Sequence, residues 1–328
     1  MRILVILISV LCCFKSLAHT WDEPWHGDVV KGANSFAIFK VLKNTGSSLK
    51  LELIKHISGE KPHPNIIVND FYLYDVVTTN AESDEHGFWL KDGVNAYMFL
   101  LKQGDSYKIA TPTSGYAEIL EDGSVAATYR HSLHQAKAQT ENYEKTQVCI
   151  FNKLHGSSCS TETIEESIIT PLNEKVAILS AQATASDFEL FFKQHAALET
   201  SFLIEYPLEF DVLKPFLTSQ FFHAEISGVR ALSVGSGTNK VEQLISFIKK
   251  DKSSDVAKVM ALIMLKNLDG KNVNPSIVEY YDQASEAEVS LGGNFMDPRI
   301  GTWYPHSVKK AIEWYIGDNS PNRVAGGL

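Results

Sequence analysis

The sequence has few cysteines, fewer positive than negative charges, and no long hydrophobic run after its first residues. Four of the 328 residues are cysteine, and 30 lysines and arginines face 39 aspartates and glutamates, a formal net charge of −9. A general nucleic-acid binder needs clustered basic residues that displace counterions from phosphates, so we expect no nucleic-acid partner. Beyond the leader, no segment supplies the about 20 apolar residues of a membrane-spanning helix.

Common catalytic motifs are also missing. The chain has no GxxxxGK[ST] phosphate loop, no HExxH, no GxSxG and no CxxC. Their absence argues against P-loop nucleotide hydrolases, zincin-type proteases, hydrolases with a nucleophile elbow and thioredoxin-like redox proteins. What the chain does have is a hydrophobic content of 44%, enough to bury a core. The sequence therefore indicates a folded protein without a recognisable catalytic motif.

The first 18 residues have the pattern of a cleaved signal peptide. Arg2 precedes an apolar run at 3–14, and Ser16-Leu17-Ala18 places small residues where a signal peptidase cuts. Cys12 and Cys13 lack the small preceding residue of a lipidated cysteine. We therefore expect cleavage after Ala18, a periplasmic or secreted location, and a mature chain of 310 residues with a net charge of −11, since the leader holds two basic residues and no acidic one.

Export changes the interpretation of the cysteines. Only Cys149 and Cys159 remain in the mature chain, and a pair of cysteines in an oxidising compartment predicts a disulfide. A bridge over so short a loop contributes roughly 2–3 kcal/mol. The alternative is a zinc site that adds His155, with His131 and His134 as further ligands, although the spacing matches no standard zinc module.

Residues 19–132 have the pattern of a β domain. Leu49, Leu51 and Leu53 alternate with polar residues, the period of two that directs one strand face inward. Asp122-Gly123 is a two-residue hairpin signal. Several short strands with turns between them predict a small antiparallel barrel or sandwich. The predicted strands are 35–43, 49–57, 65–74, 95–102 and 105–111.

The order of these segments resembles the start of an OB-like domain of the netrin or tissue-inhibitor type. The resemblance rests on strands 35–43 and 49–57, the second ending in Lys-His-Ile-Ser-Gly at 55–59, and on 66–68 and the aromatic segment 93–100. It implies an OB-like barrel. The cysteines typical of that family are absent from this region, including the amino-terminal one that carries the activity of the inhibitors, so the resemblance implies the fold and not the inhibition.

Residues 133–316 have the pattern of an all-α domain, followed by a polar, glycine-rich tail at 317–328 that we expect to be flexible. Val229-Arg230-Ala231-Leu232 and Val259-Met260-Ala261-Leu262 lie thirty residues apart, each after another apolar helix. Helix pairs at this period resemble HEAT-like repeats of an α-solenoid. A non-repetitive helical bundle remains the alternative.

Histidines supply the candidate metal ligands. His131 and His134 would share one face if their segment were helical, and His195 lies on the apolar face of a predicted helix one turn before Glu199. Glu199 would then orient His195, either as a satisfied buried side chain or as a general base or ligand. His19 would become the first residue after cleavage, and its amine and imidazole could together chelate copper.

The segment 291–304 is the candidate binding surface. Two glycines precede Asp297 and Arg299, which flank a proline and could form a locked pair, and Trp303 and Tyr304 offer flat contact area. An irregular link of this length between helices is longer than packing requires, and such loops often carry function.

Together these patterns predict an α+β protein, with an N-terminal small antiparallel β-barrel or sandwich followed by a helical domain. The predicted function is that of an exported soluble binding or scaffold protein for a protein, small-molecule or glycan ligand, with recognition through the helical array and the 291–304 loop. No cofactor is required by this function. The alternative is a metal-dependent enzyme that uses the histidines with zinc or copper.

Overall fold

The structure is a computed structural model that describes residues 22–69, 71, 90–270, 272–290 and 303–317. Within them the chain forms an α+β fold, in which a closed five-stranded β-barrel with additional strands is followed by a helical part. The predicted fold class and the order of its parts are confirmed. Of the helices in these residues, none is both long and apolar enough to cross a membrane.

The barrel closes because its first strand pairs on both sides. Strand β1 pairs antiparallel with β2 and with β4, and β3 joins β5 through a short parallel contact, which completes the ring β1-β2-β3-β5-β4. The strands in the described part are β1 (Ser35–Asn44), β2 (Ser48–Gly59), β3 (Asn65–Asn69), β4 (Asn95–Gln103), β5 (Ser106–Lys108), β6 (Tyr116–Ile119), β7 (Ser124–Thr128) and β8 (Gln135–Gln139).

The apolar and polar residues that alternate in the sequence of β2 lie on the inner and outer faces of the barrel wall. Leu49 and Leu51 of β2 are fully buried inside the barrel, while Lys50 and Glu52 between them are exposed. Leu53 is half-buried at the barrel end. The strand predicted over 65–74 ends at Asn69, and 72–74 lie outside the described residues.

Three strands extend the sheet beyond the barrel. Strand β4 also pairs with β6, and the hairpin β6–β7 turns at the predicted Asp122-Gly123, where Gly123 has a φ of 78° that favours glycine. Strand β8 then pairs antiparallel with β7. Strand β8 lies beyond residue 132, in the part predicted to be helical, so that prediction was wrong for 135–139. The alanines, lysine and glutamines of β8 have weak β propensity, and only the pairing with β7 makes them a strand.

Ten α-helices lie in the described residues. One precedes the barrel and nine follow β8. They are α1 (His26–Gly32), α2 (Thr140–Leu154), α3 (Glu165–Leu172), α4 (Ala185–Ile204), α5 (Phe210–Leu217), α6 (Phe222–Val234), α7 (Lys240–Ile248), α8 (Asp255–Asp269), α9 (Pro275–Tyr280) and α10 (Val308–Ile316).

Helices α3 to α8 form three consecutive pairs that pack side by side. The longer helices α4, α6 and α8 pack side by side, and the shorter α3, α5 and α7 each pack against the longer helix that follows. The buried segments Val229-Arg230-Ala231-Leu232 and Val259-Met260-Ala261-Leu262 lie in α6 and α8, so the thirty-residue spacing corresponds to one step of this row.

The two cysteines are joined in a disulfide, as predicted. Cys149 near the end of α2 is bonded to Cys159, with 5.0 Å between their Cα atoms. The bond excludes the alternative in which both thiolates ligate zinc. His155 instead stacks on Phe151 with 4.2 Å between ring centroids and forms a hydrogen bond to the carbonyl of Val30, at 3.1 Å.

The segment before α1 is bound to the links between β5 and β6 and between β7 and β8. Glu23 is buried and accepts hydrogen bonds from the hydroxyls of Thr111, Thr113 and Ser132. In α1, the His26 backbone N–H donates to the Arg130 carbonyl at 2.7 Å. The start of the described chain is thereby fixed against the residues that link β7 to β8.

Candidate functional site

Helix α4 separates the two features of the molecule that could carry function. It begins at a capping box, in which the Thr184 hydroxyl accepts from the Asp187 backbone N–H and the Asp187 carboxylate accepts from the Thr184 N–H. Of its twenty residues, one stripe that includes His195 and Glu199 faces a buried ionic cluster beside α6. Another stripe, with Ala196 and Thr200, lines an open cleft.

The ionic cluster is centred on Glu199, whose side chain is fully buried. Its carboxylate accepts from Arg230 Nε at 2.7 Å and from the Ser227 hydroxyl at 2.7 Å, both on α6. Arg130, after β7, brings its own Nε to 4.0 Å from the same carboxylate. Buried charges are tolerated when they are paired and hydrogen-bonded, and Glu199 meets this condition.

The cluster has two guanidinium groups for one carboxylate. Arg230 compensates by lying over aromatic rings, with its guanidinium carbon 4.1 Å from the Phe202 centroid and 4.8 Å from that of Trp25. Arg130 is less well satisfied, because its Nε and Nη1 have no hydrogen-bond partner among the described residues. Burial lowers the pKa of Arg130 to about 10, against the opposing effect of Glu199, so it stays charged at neutral pH.

Three imidazoles lie next to Arg130. The ring centroid of His134 is 4.3 Å from that of His195 and 4.3 Å from that of His223. Burial and the charge of Arg130 hold the pKa of His134 and His195 well below the usual value, and the same causes lower the pKa of His223 to about 3. All three rings are therefore neutral at pH 7.

The cluster contains a serine between a histidine and a carboxylate, but its geometry is not that of a nucleophile. The Ser227 hydroxyl donates to Glu199, so its proton is directed at the carboxylate and not at the imidazole, and His195 Nδ1 donates to the Ser227 oxygen at 3.2 Å. Both side chains are almost fully buried, which leaves no access for a substrate. The cluster therefore stabilises the contact between α4, α6 and the β7–β8 link.

The structure brings two of the predicted histidines into contact, His134 and His195, whose rings are tilted with centroids 4.3 Å apart. His131 instead packs edge-on against Trp25 at 5.7 Å. Residues 131–134 form a turn and not the helix that would place both side chains on one face. In the described ranges, no group of three or more histidines, cysteines, aspartates or glutamates is placed to hold a metal ion. His19 lies outside them.

The predicted hydrogen bond between His195 and Glu199 is replaced by a bridge through Ser227. Ser227, Arg130 and Arg230 were not predicted as partners of this pair. One signal was available for Arg230: it interrupts an apolar helix segment, and a charge in such a position needs a buried partner.

The cleft lies on the other side of α4, between β8, α2, α3 and α4, and has a volume of about 420 Å³. This volume is in the range of small-ligand sites. Its floor consists of buried apolar side chains, namely Tyr129, Ile168, Pro171 and Ala197. Its walls carry uncharged polar groups, namely Gln139, Asn142, Thr146, Thr163, Ser167, Thr170 and Thr200.

Two hydroxyls of the cleft differ in how they are satisfied. Thr146 accepts from the buried Tyr129 hydroxyl at 3.1 Å and donates to the Tyr143 carbonyl. Burial raises the pKa of Tyr129 to about 12, so this phenol is a neutral donor. The Thr200 hydroxyl is buried and has no hydrogen-bond partner in the described part of the chain. Buried polar groups in folded proteins are seldom left unpaired.

Charged side chains also line the cleft, and most of them are paired. Lys193 bonds to Glu189 at 2.6 Å on α4, and Lys145 bonds to Glu141 at 2.7 Å on α2. Lys137 of β8 bonds to Asp122 of the β6–β7 turn. These pairs are solvent-exposed and contribute little to stability. Glu166 of α3 is exposed and forms no ion pair within the described residues.

The predicted binding loop is described only at its end. Asp297 and Arg299 lie outside the described residues. Trp303 is 46% exposed and lies edge-on to Trp314 at 5.9 Å. Tyr304 is buried in the helical core, and its hydroxyl donates to the Val289 carbonyl at 3.4 Å, so of the two aromatic residues only Trp303 offers free surface.

Comparisons of the chain with protein-family models, with curated proteins and with solved structures give no significant match.

Proposed function

We propose that this protein is an exported recognition protein that binds its ligand in the cleft between β8 and α4. The observation that carries the proposal is the cleft itself, a volume of about 420 Å³ with a buried apolar floor and polar walls. Ligand sites in proteins combine these features, because apolar area supplies affinity and a few polar groups fix orientation. A ligand with uncharged hydrogen-bonding groups suits these walls best.

The finer parts of the proposal rest on the sequence. The signal-peptide pattern at 1–18 supports export, and a disulfide is typical of exported proteins. The row of helix pairs supports the HEAT-like interpretation, and the closed barrel supports the OB-like one. Both folds commonly serve recognition. The alternative, a metal-dependent enzyme, draws no support from the buried, neutral histidines beside Arg130.

A fragment screen that compares the wild-type protein with a variant whose cleft is filled by a larger side chain tests the proposal. A library of uncharged small fragments, observed by ligand-detected NMR, should give binders to the wild-type protein that are lost in Ala196→Phe, because phenylalanine on the α4 wall occupies the cleft. The matched control is Ala185→Phe, an exposed position on the same helix outside the cleft, which should retain them. If no fragment binds, or if fragments bind Ala196→Phe as well as they bind the wild-type protein, the proposal is contradicted.

A further inference from the structure

Two phenylalanines of α4 extend the apolar surface of the cleft. Phe192, Ala196 and Thr200 line the cleft at a spacing of four residues, and Phe188 continues this stripe by one helical turn. Phe192 is half-buried and Phe188 is 41% exposed, with their ring centroids 6.2 Å apart. Single exposed apolar residues need no explanation, whereas apolar surface that is continuous with a pocket indicates a binding site. We call Phe188 and Phe192 the aromatic strip.

The polar groups of the cleft both donate and accept hydrogen bonds. Gln139 and Asn142 are exposed amides, each with two N–H donors and an acceptor oxygen. The lysines of the cleft only donate, and the carboxylate of Glu166 only accepts. The hydroxyls of Thr163 and Ser167 donate to backbone carbonyls and keep lone pairs for accepting. A ligand whose groups donate and accept at once can use all of these side chains, and the hydroxyls of a sugar are such groups.

The charges of the cleft favour neither sign. Three lysines line it, Lys137, Lys145 and Lys193, and each is paired with a carboxylate. The carboxylates of Glu166 and Glu189 line it as well. An anionic ligand would compete with the partners of the lysines, and a cationic ligand would meet the lysines, so a ligand of either charge gains little. A neutral polar ligand avoids both costs.

We propose that the ligand of the cleft is a neutral oligosaccharide, whose sugar rings pack on the aromatic strip and whose hydroxyls bond to the polar side chains of the cleft. The proposal rests on the proposed function and names its ligand class. A pyranose ring has C–H groups on its faces and hydroxyls around its edge. The negative face of an aromatic ring attracts such C–H groups. Because Phe188 and Phe192 follow one another along α4, consecutive sugars can contact consecutive phenylalanines.

An apolar ligand or a peptide fits this cleft less well. An apolar ligand would cover the amides of Gln139 and Asn142 and leave them unpaired, which opposes binding. A peptide gains most when it adds a strand to a free sheet edge, but α4 packs against β8, the last strand of the sheet. Side chains therefore carry the recognition, and they suit a ligand with hydroxyls around its edge.

An array of neutral and acidic oligosaccharides, probed with the folded mature protein, tests the proposal. Neutral glycans that bind on the array should also bind in solution, where NMR should show contacts between sugar C–H groups and phenylalanine ring protons. Binding should be lost in Ala196→Phe, which fills the cleft. The affinity should not change with ionic strength, because the ligand carries no charge for salt to screen.

Variants of the aromatic strip separate stacking from simple apolar contact. Phe188→Leu and Phe192→Leu keep an apolar side chain but remove the ring, and each should weaken binding by about fivefold. Phe192→Tyr keeps the ring and should bind as the wild-type protein does. Trp303→Ala removes an exposed aromatic side chain outside the cleft, so this control should keep its affinity. Because Phe188 is exposed, Phe188→Leu decides the question even if Phe192→Leu fails to fold.

The outcomes separate this proposal from the proposed function. If uncharged fragments or peptides bind in the cleft and no neutral oligosaccharide does, the glycan proposal is overturned and the proposed function stands. A preference for acidic glycans, with an affinity that falls as salt is added, would overturn it as well. The same holds for glycan binding that both leucine variants leave unchanged, or that Trp303→Ala abolishes. If no fragment, peptide or oligosaccharide binds in the cleft, both proposals fail.

Discussion

At the residue scale, the unusual feature is the buried carboxylate of Glu199, which interacts with two buried arginines. Glu199 is satisfied by Ser227 and Arg230, and Arg130 completes the charge balance from the other side. Burying such a group is costly, and its attraction to the arginines offsets that cost only while all members are present. The histidine on the same stripe was predictable from the sequence, but its partners were not, since they come from segments far apart in the chain.

Removal of the charge of Glu199 should be strongly destabilising. Glu199→Gln leaves Arg130 and Arg230 buried without a carboxylate, and we expect a loss of about 3–5 kcal/mol in the free energy of unfolding measured with urea. Glu205→Gln is the control, because Glu205 is exposed and pairs with Lys153 at the surface, where a loss of less than about 1 kcal/mol is expected. Similar losses in both variants would refute a special role for the buried carboxylate.

At the element scale, strongly patterned segments were predicted and weakly patterned ones were not. Strands β1, β2 and β4 lie where the sequence predicted them, because each buries apolar side chains. Strand β8 was assigned to the helical part, because nothing in its five residues favours a strand before β7 pairs with it. The site that depends on β8 could therefore not be predicted either.

The disulfide after α2 is a stabilising element in its own right. It closes a short loop between α2 and the turn before α3, so its loss should cost roughly 2–3 kcal/mol. Cys149→Ala, Cys159→Ala and the double variant should show nearly the same free energy of unfolding, since the bond is lost once in each case. Reduced wild-type protein provides the control. Equal stability of the oxidised and reduced protein would show that the bridge contributes nothing.

At the scale of the whole molecule, buried neutral histidines lie where the barrel side meets the helices. His26 of α1 bonds through Nε2 to the Gln147 side chain of α2 at 2.7 Å, and burial lowers its pKa from 6.5 to about 4. His134 lies on the β7–β8 link and His195 on α4, and burial lowers their pKa as well. Protonation of these rings therefore works against the junction of the two parts.

Stability should fall as the pH is lowered from about 6.5 toward 4. Below pH 6.5 the unfolded chain binds protons at these histidines while the folded protein does not, so protons favour unfolding, and His26 alone accounts for about 3 kcal/mol across the window. Urea unfolding at pH 7.5 and 4.5 measures the effect. His26→Gln, which keeps a hydrogen-bonding group for Gln147, should reduce the pH slope, whereas His63→Gln at an exposed position should not. An unchanged slope in His26→Gln would contradict this account.

The sequence by itself determined which residues of the strands face the interior, that a β part precedes a helical part, and which two cysteines bond, because periodicity and cysteine number are local or compositional properties. The tertiary structure decided how β8 pairs, which arginines meet Glu199, and where the cleft opens. Each of these depends on contacts between segments that are distant in sequence, and no single segment contains the energy of such a contact. The leader pattern and the two remaining cysteines predict an oxidising compartment, whereas only the folded structure shows the cleft between β8 and α4.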